Sequence, residues 1–213
     1  MSLALAVTVA ALAGSGVAEL RSARADMRRM QAEYGLGGAH VMADQTVIAD
    51  GQGRRMRWRF DIAAGQVEAL AEPEAGKLDY ETAASLDDAA FGRLGVRDAA
   101  ALRAKLVTLA KTHSGTLASL VGSDAAPGWR RCAPSVVSRV GRADKPSLSA
   151  AVAPSPRPGS SRAGEVWRVR LSLGGWTEDR IVRFTGDLNH PAAIIDRSLY
   201  RAEGEDRCET LVN

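Results

Sequence analysis

The first eighteen residues, MSLALAVTVAALAGSGVA, contain no charged side chain, and Glu19 is the first. An uncharged run of this length sits at the lower edge of what crosses a bilayer. Its alanine, glycine, serine and threonine keep it only weakly apolar. A globular helix buried on every side is excluded, because so small a chain has nothing to cover it all round. Two readings stand. One is a secretory signal peptide, with Gly16-Val17-Ala18 as a small-residue cleavage site but without the usual positive n-region. The other is a membrane helix over 1–18 that continues as an aqueous helix over 19–50. No proline interrupts residues 2–34, and Leu20, Met27, Met30 and Tyr34 recur at helical spacing. On the second reading Leu3, Leu5, Val7, Val9, Ala10, Leu12 and Gly14 form the membrane and helix-packing set. The small residues Ala6, Ala10, Ala13 and Gly14 allow close helix approach in lipid. Arg21, Arg24, Arg28 and Arg29 would put the C-terminal side in the cytoplasm by the positive-inside rule; basic residues ahead of Met1 would reverse that.

The remaining charge is mixed. The chain of 213 residues carries a formal net charge of +3, almost all of its cations being arginine and most of them interleaved with acids. A nucleic-acid surface gathers its basic residues on one face, so this pattern reads as a solvated surface. Cys132 and Cys208 are the only cysteines. They lack CxxC spacing, which excludes a zinc ribbon or a thioredoxin motif. In an oxidising compartment they could close one long loop; in the cytosol they would be two thiols.

From residue 51 to 72 the pattern is strand-like. Met56, Trp58, Phe60 and Ile62 alternate with Arg57, Arg59 and Asp61, and Ala64-Gly65 supplies a turn. Arg55, Arg57 and Arg59 read as a wet strand face rather than an anion site. Glycines 35, 37 and 38 are expected to loosen the end of the long helix. Residues 73–152 form a helical insertion. Ser85 and Asp88 make a capping box for a helix at about 86–94, which Gly95 ends. Asp98 caps another helix with Leu102, Leu106 and Leu109 on one face. Residues 153–164, APSPRPGSSRAG, read as a linker. Over 165–213 Trp167, Val169, Leu171 and Leu173 share a strand face, and two further strands precede a polar tail. The fold class expected is α+β, a single antiparallel sheet with a helical insertion.

The residues offer little chemistry. His40, His113 and His190 are scattered, without other ligands at metal-site spacing. Phosphate-loop, dinucleotide, nucleophile-elbow and zinc-protease signatures are absent from the sequence. Asp79 and Glu81 read as loop-flanking charges, and Asp87-Asp88 as helix N-terminal charges favoured by the dipole. The EGEDRCE tail lacks the spacing of a calcium loop. The stretch LDYETAASLDDAAFGRLGV is similar to the start of a helix-hairpin-helix DNA module. Its hairpin, Leu94-Gly95-Val96-Arg97-Asp98, lacks the second glycine and adds an acid that repels phosphate. The expectation from these residues is neither catalytic activity nor a nucleic-acid site.

Taken in order, several segments resemble the K-type minor pseudopilin of the type II secretion system (the general secretion pathway protein K family). SLALAVTVAALAG followed by RADMRR is similar to that family's membrane helix and basic continuation. GKLDYETAASLDDAAFGRLGV is similar to its Gly-Lys-hydrophobic-Asp-x-x-Thr-Ala step before a short helix. WRRCAPSVVSRVGRADKPSLSAAVAP resembles its second helical portion, and VWRVRLSLGGWTEDRIVRFTGDLNHPAAIID its closing strands. The resemblance implies a pilin-like α/β sheet carrying an inserted small helical domain. It implies an inner-membrane, single-pass anchor with the C-terminal domain in the periplasm. The implied partners are the I- and J-type minor pseudopilins and the inner-membrane secretion platform, with no nucleic acid. The implied role is to sit at the pseudopilus tip, initiate its assembly and help drive export across the outer membrane. No acid precedes Glu19, matching the family's lack of the glutamate that other pilins carry at mature position five. The departures are a missing leader before Met1 and a short insertion. Calcium is the one cofactor the family resemblance implies, and its ligands are not assigned to particular residues here. A soluble periplasmic or secreted binding module with a cleaved N-terminus is the alternative.

Overall fold

The computed structural model describes residues 2–50, 53–112, 127–143, 162–187 and 189–201. The side chains of 2–15, 127–128 and 130–131 lie outside the description. Helix α1 (Ser2–Ala49) is 48 residues long, a rod of about 72 Å. It runs without a break through Gly35, Gly37 and Gly38, where the sequence suggests a loosened end. Packing overrides the propensity cost there. A Cβ on Gly35 would stand 3.0 Å from the Leu173 side chain and 3.4 Å from that of Ala64, so this glycine lets the helix lie close on the sheet.

Five strands follow: β1 (Met56–Ile62), β2 (Gly65–Pro73), β3 (Val166–Leu173), β4 (Trp176–Phe184) and β5 (Ala192–Arg201). They form one antiparallel sheet in the order β1-β2-β3-β4-β5, so every strand pairs with its neighbours in sequence. The ladder between β4 and β5 shifts register at Ile181/Val182. Ile181 faces Asp196 and Val182 faces Ile194, which leaves Ile195 as the bulged residue.

One sheet face receives the second half of α1. Leu36, Ala39, Ala43 and Val47 meet Val67, Ala69, Ala71, Trp167, Val169, Leu171, Val182 and Phe184, all buried. Met56, Trp58, Phe60 and Ile62 pack at the margin of this core while Arg57, Arg59 and Asp61 face solvent. The larger of these side chains each contribute about 1.5–3 kcal/mol when fully buried.

Between β2 and β3 the chain passes through a 3₁₀ turn (Glu74–Gly76) and helices α2 (Tyr80–Ala84), α3 (Asp88–Arg93), α4 (Ala99–Thr112) and α5 (Pro127–Val136). These helices carry a second apolar cluster around Leu78, Phe91, Leu94, Leu102, Leu106, Trp129, Ala133 and Val136. Three aspartates start α2, α3 and α4. Asp79, Asp87 and Asp98 accept hydrogen bonds from the backbone N–H groups of Thr82, Ala90 and Ala101. The capping box expected from Ser85 is therefore corrected. Ser85 closes α2, donating to the Thr82 carbonyl at 2.8 Å, and Asp87 is the residue that opens α3. Aspartate wins because its carboxylate is the stronger acceptor for the free amides of a first turn.

Arg162 falls inside the expected linker but is buried. It donates to the Asp50 carbonyl at the end of α1, bonds Glu165 at 3.0 Å and lies 5.0 Å over the Trp167 ring. A cation at the last carbonyls of a helix is favourable, and here it fastens α1 to the start of β3. Residues 153–161 of that expected linker lie outside the described residues.

Candidate interaction surface

Helix α1 is apolar on two opposite sides. The face on the sheet comprises Ala32, Leu36, Ala39, His40, Ala43, Asp44 and Val47. Turned away from it are Leu20, Met27, Tyr34, Val41 and Ile48, spaced seven apart, with Met30 beside them, and all are exposed. Tyr34 is 83 % exposed. A repeat of seven in a straight helix of 3.6 residues per turn drifts by only about 20° per repeat. The five side chains therefore form one nearly axial stripe, the pattern by which helices pack side by side.

Where α1 crosses β4 and β5 the interface turns polar. His40 is wholly buried, its Nε2 3.8 Å from a carboxylate oxygen of the equally buried Glu178. Arg180 and Arg197 both donate to the other oxygen of Glu178, the first at 2.7 Å, and Arg197 reaches Glu33 on α1 at 3.1 Å. Burial, with the charges of Arg180 and Arg197, lowers the His40 pKa to about 2. Burial raises that of Asp44, one helical turn on, to about 6 against the pull of Arg180. Burial also opposes the Arg197 charge, but hydrogen bonding and attraction from Glu178 and Glu33 outweigh it and push that pKa up. Neither ring nitrogen of His40 has a hydrogen-bond partner among the described residues.

The opposite sheet face is charged and yet buried. Arg168 and Arg170 alternate with the apolar residues of β3. Glu72 pairs with Arg168 across β2, and Asp179 pairs with Arg170 across β4. Lys77 is buried among Glu72 at 3.2 Å, Glu74 and the Pro134 carbonyl at 2.7 Å. Arg168 reaches Glu74 at 3.3 Å and Asp179 at 3.6 Å. Burial disfavours the Glu72 carboxylate, but Lys77, Arg170, Arg55 and Arg168 outweigh it and hold its pKa below the ordinary value. Burial likewise opposes the Arg168 charge, and Glu74 and Asp179 overcome it, raising its pKa. The node ties α5 to the sheet. Beside it the Leu78 N–H donates to Val136 at 2.9 Å and the Ser138 N–H donates back to Leu78 at 2.8 Å. Gly141 lies so close that a Cβ would be 2.2 Å from the Lys77 carbonyl.

The residues singled out in sequence separate widely. His40 is buried, while His190 is exposed beside Asp187. His113 lies outside the described residues. Among the described residues no group of three or more histidine, cysteine, aspartate or glutamate side chains could hold a metal ion. Asp79 is a helix cap and Glu81 sits in the following turn. Arg55 pairs with Glu72 at 3.0 Å, Arg59 pairs with Glu68, and Arg57 is exposed. Cys132 is buried and disulfide-bonded, and Cys208 lies outside the described residues. So do the side chains of Leu3, Leu5, Val7, Val9, Ala10, Leu12 and Gly14. Among the described residues no helix is long and apolar enough to cross a membrane. The sequence reading missed the two buried charge clusters. Their one signal is the pairing of Arg168 and Arg170 with acids in the strands on either side.

No family model, no curated protein and no solved structure matches this chain.

Proposed function

We propose that this chain is a K-type minor pseudopilin. Its N-terminal helix is anchored in the inner membrane, its sheet stands in the periplasm, and it is a structural subunit at the tip of a type II secretion pseudopilus. The observation that carries this reading is α1 itself. One face of its second half is committed to a five-stranded antiparallel sheet, while the opposite stripe of Leu20, Met27, Tyr34, Val41 and Ile48 is uncovered. A helix laid on a sheet with its outer side free is suited to pack against the equivalent helices of neighbouring subunits, here the I- and J-type pseudopilins. The helices between β2 and β3 correspond to the family's inserted helical domain and add bulk on the far side of the sheet. In this role the buried ion pairs fix geometry and perform no reaction.

The mature N-terminus tests the proposal, read by mass spectrometry on protein purified from its native membrane. A methylated residue close to Met1, with the 1–18 segment retained, is the expected result. An N-terminus at Glu19 would replace this reading with a periplasmic or secreted binding module.

A further inference from the structure

The uncovered side of α1 carries a charge pattern as well as an apolar one. Between Val17 and Gln31 every side chain is exposed, so this stretch of the helix stands clear of the sheet. Leu20, Met27 and Tyr34 recur every seven residues, and Ala23 and Met30 follow the first two at a distance of three. Those are the two apolar positions of a heptad seam. An acid stands immediately before each of the three: Glu19, Asp26 and Glu33. Arg24 and Gln31 occupy the other flank. On a helix of 3.6 residues per turn the acids lie about 70° to one side of the seam, and Arg24 and Gln31 about 70° to the other.

The two flanks of this one helix complement each other. In a parallel pair of helices, the flanking residue before a seam position faces the residue five places further on in the partner. Two copies of α1 in register would therefore set Glu19 against Arg24 and Asp26 against Gln31, each twice. Glu33 needs no such partner, because Arg197 holds it at 3.1 Å. An antiparallel pair would set one acid row against the other, and like charges at that range repel. The sheet does not obstruct the parallel pair. It takes Ala32, Leu36, Ala39 and Val47 on the far side of the rod, so a two-fold axis along the seam leaves both sheets on the outside. Gly38, between Tyr34 and Val41, has nothing within 4 Å of where a Cβ would stand, which keeps the approach open further along. We propose that α1 pairs with a second copy of this chain as a parallel, in-register helix pair. Leu20, Met27, Met30 and Tyr34 form its seam, and Glu19 against Arg24 sets its direction and register. The pairing concerns the chain by itself, before any other helix takes the stripe, and does not rest on the pseudopilin reading.

Full-length protein purified alone in detergent micelles provides the test. Leu20→Cys and Tyr34→Cys should each give more disulfide-linked homodimer on mild oxidation than the parent chain, since in a parallel pair each position meets its own counterpart. Ala25→Cys, on the opposite side of the helix, should not. An antiparallel pair centred on Met27 would bring position 20 to position 34, and neither single variant would link. The charge pattern is tested by the monomer–dimer equilibrium in analytical ultracentrifugation. Glu19→Arg and Arg24→Glu should each weaken the dimer about tenfold, because two attractive contacts become two repulsive ones. The two variants mixed together should recover the parent's affinity to within about twofold, each supplying the charge that the other lacks. Equal linking at all three cysteine positions would mean crowding in the micelle and would overturn the pairing. So would linking at none of them, or a mixture that associates no more tightly than the single variants.

Discussion

His40 is a neutral imidazole sealed between a helix and a sheet, and its effect on stability runs opposite to that of its neighbour. Its folded pKa of about 2 lies far below the 6.5 of a free histidine. Above pH 6.5 both states are neutral and its stabilising contribution is complete. Below that the unfolded chain takes up a proton that the folded one refuses, and stability falls. Asp44, raised to about 6, adds stability that is fully present below pH 3.8 and is lost as pH rises through 6. Between pH 6 and 4 the two slopes oppose each other. His40→Leu should leave the Asp44 slope alone, so the variant's advantage over the parent should grow by about 1.4 kcal/mol per pH unit below 6.5. Urea midpoints at pH 7.5, 6, 5 and 4 measure it, and parallel profiles would show that His40 is not held neutral. Gly141 makes a steric case of the same kind. Its missing side chain admits the Lys77 carbonyl, so Gly141→Ala forces the two backbone segments apart. A loss of about 1–3 kcal/mol is expected in chemical denaturation. Gly92, which meets nothing within 4 Å, is the control where alanine should cost nothing. The sequence does not reveal either site. A lone histidine in an apolar stretch and a glycine in a loop each have many uses, and both roles here depend on contacts made by distant parts of the chain.

Among the elements, α1 and β3 show how far periodicity reaches. In β3 the alternation of Trp167, Val169, Leu171 and Leu173 marks the face that meets α1, as the sequence suggests. The same alternation reads Arg168 and Arg170 as solvent-facing, yet both are buried. That follows only from the strand order, which sets Glu72 opposite Arg168 and Asp179 opposite Arg170. In α1 there are two apolar stripes, and 3.6-residue spacing does not say which one the sheet will take. The sheet takes the stripe of Leu36, Ala39, Ala43 and Val47, with Gly35 beside it letting the helix lie close. The outer stripe is then free for other helices. On the proposed pseudopilin role, cysteine at Tyr34 or Val41 should cross-link to helices of the I- and J-type subunits in cells that make them. Cysteine at Ala39, on the sheet side, should not. Equal cross-linking at all three positions, or at none, would count against side-by-side packing along the outer stripe.

For the molecule as a whole, the α+β class, the hairpin of β1 and β2 and the helices between β2 and β3 were legible from alternation, turn residues and caps. The layering was not. It depends on a sheet with two buried faces, one apolar under α1 and one held by ion pairs under the helical segment, and composition averages the two together. Cys132 is buried on α5 and is disulfide-bonded. In a non-reducing digest its peptide should appear linked to that of Cys208, the other cysteine in the chain. A linkage between two copies through Cys132 would instead place the bond between molecules. A further consequence lies in the ladder between β2 and β3. Pro73 and Trp167 stand directly opposite one another at its end. The whole stretch between them leaves the sheet and returns to it at a single point, as the loop of a very long hairpin. Residues can be gained or lost in the parts of this stretch away from the Lys77 node without moving a strand, so its length can change while the sheet and the long helix keep their register.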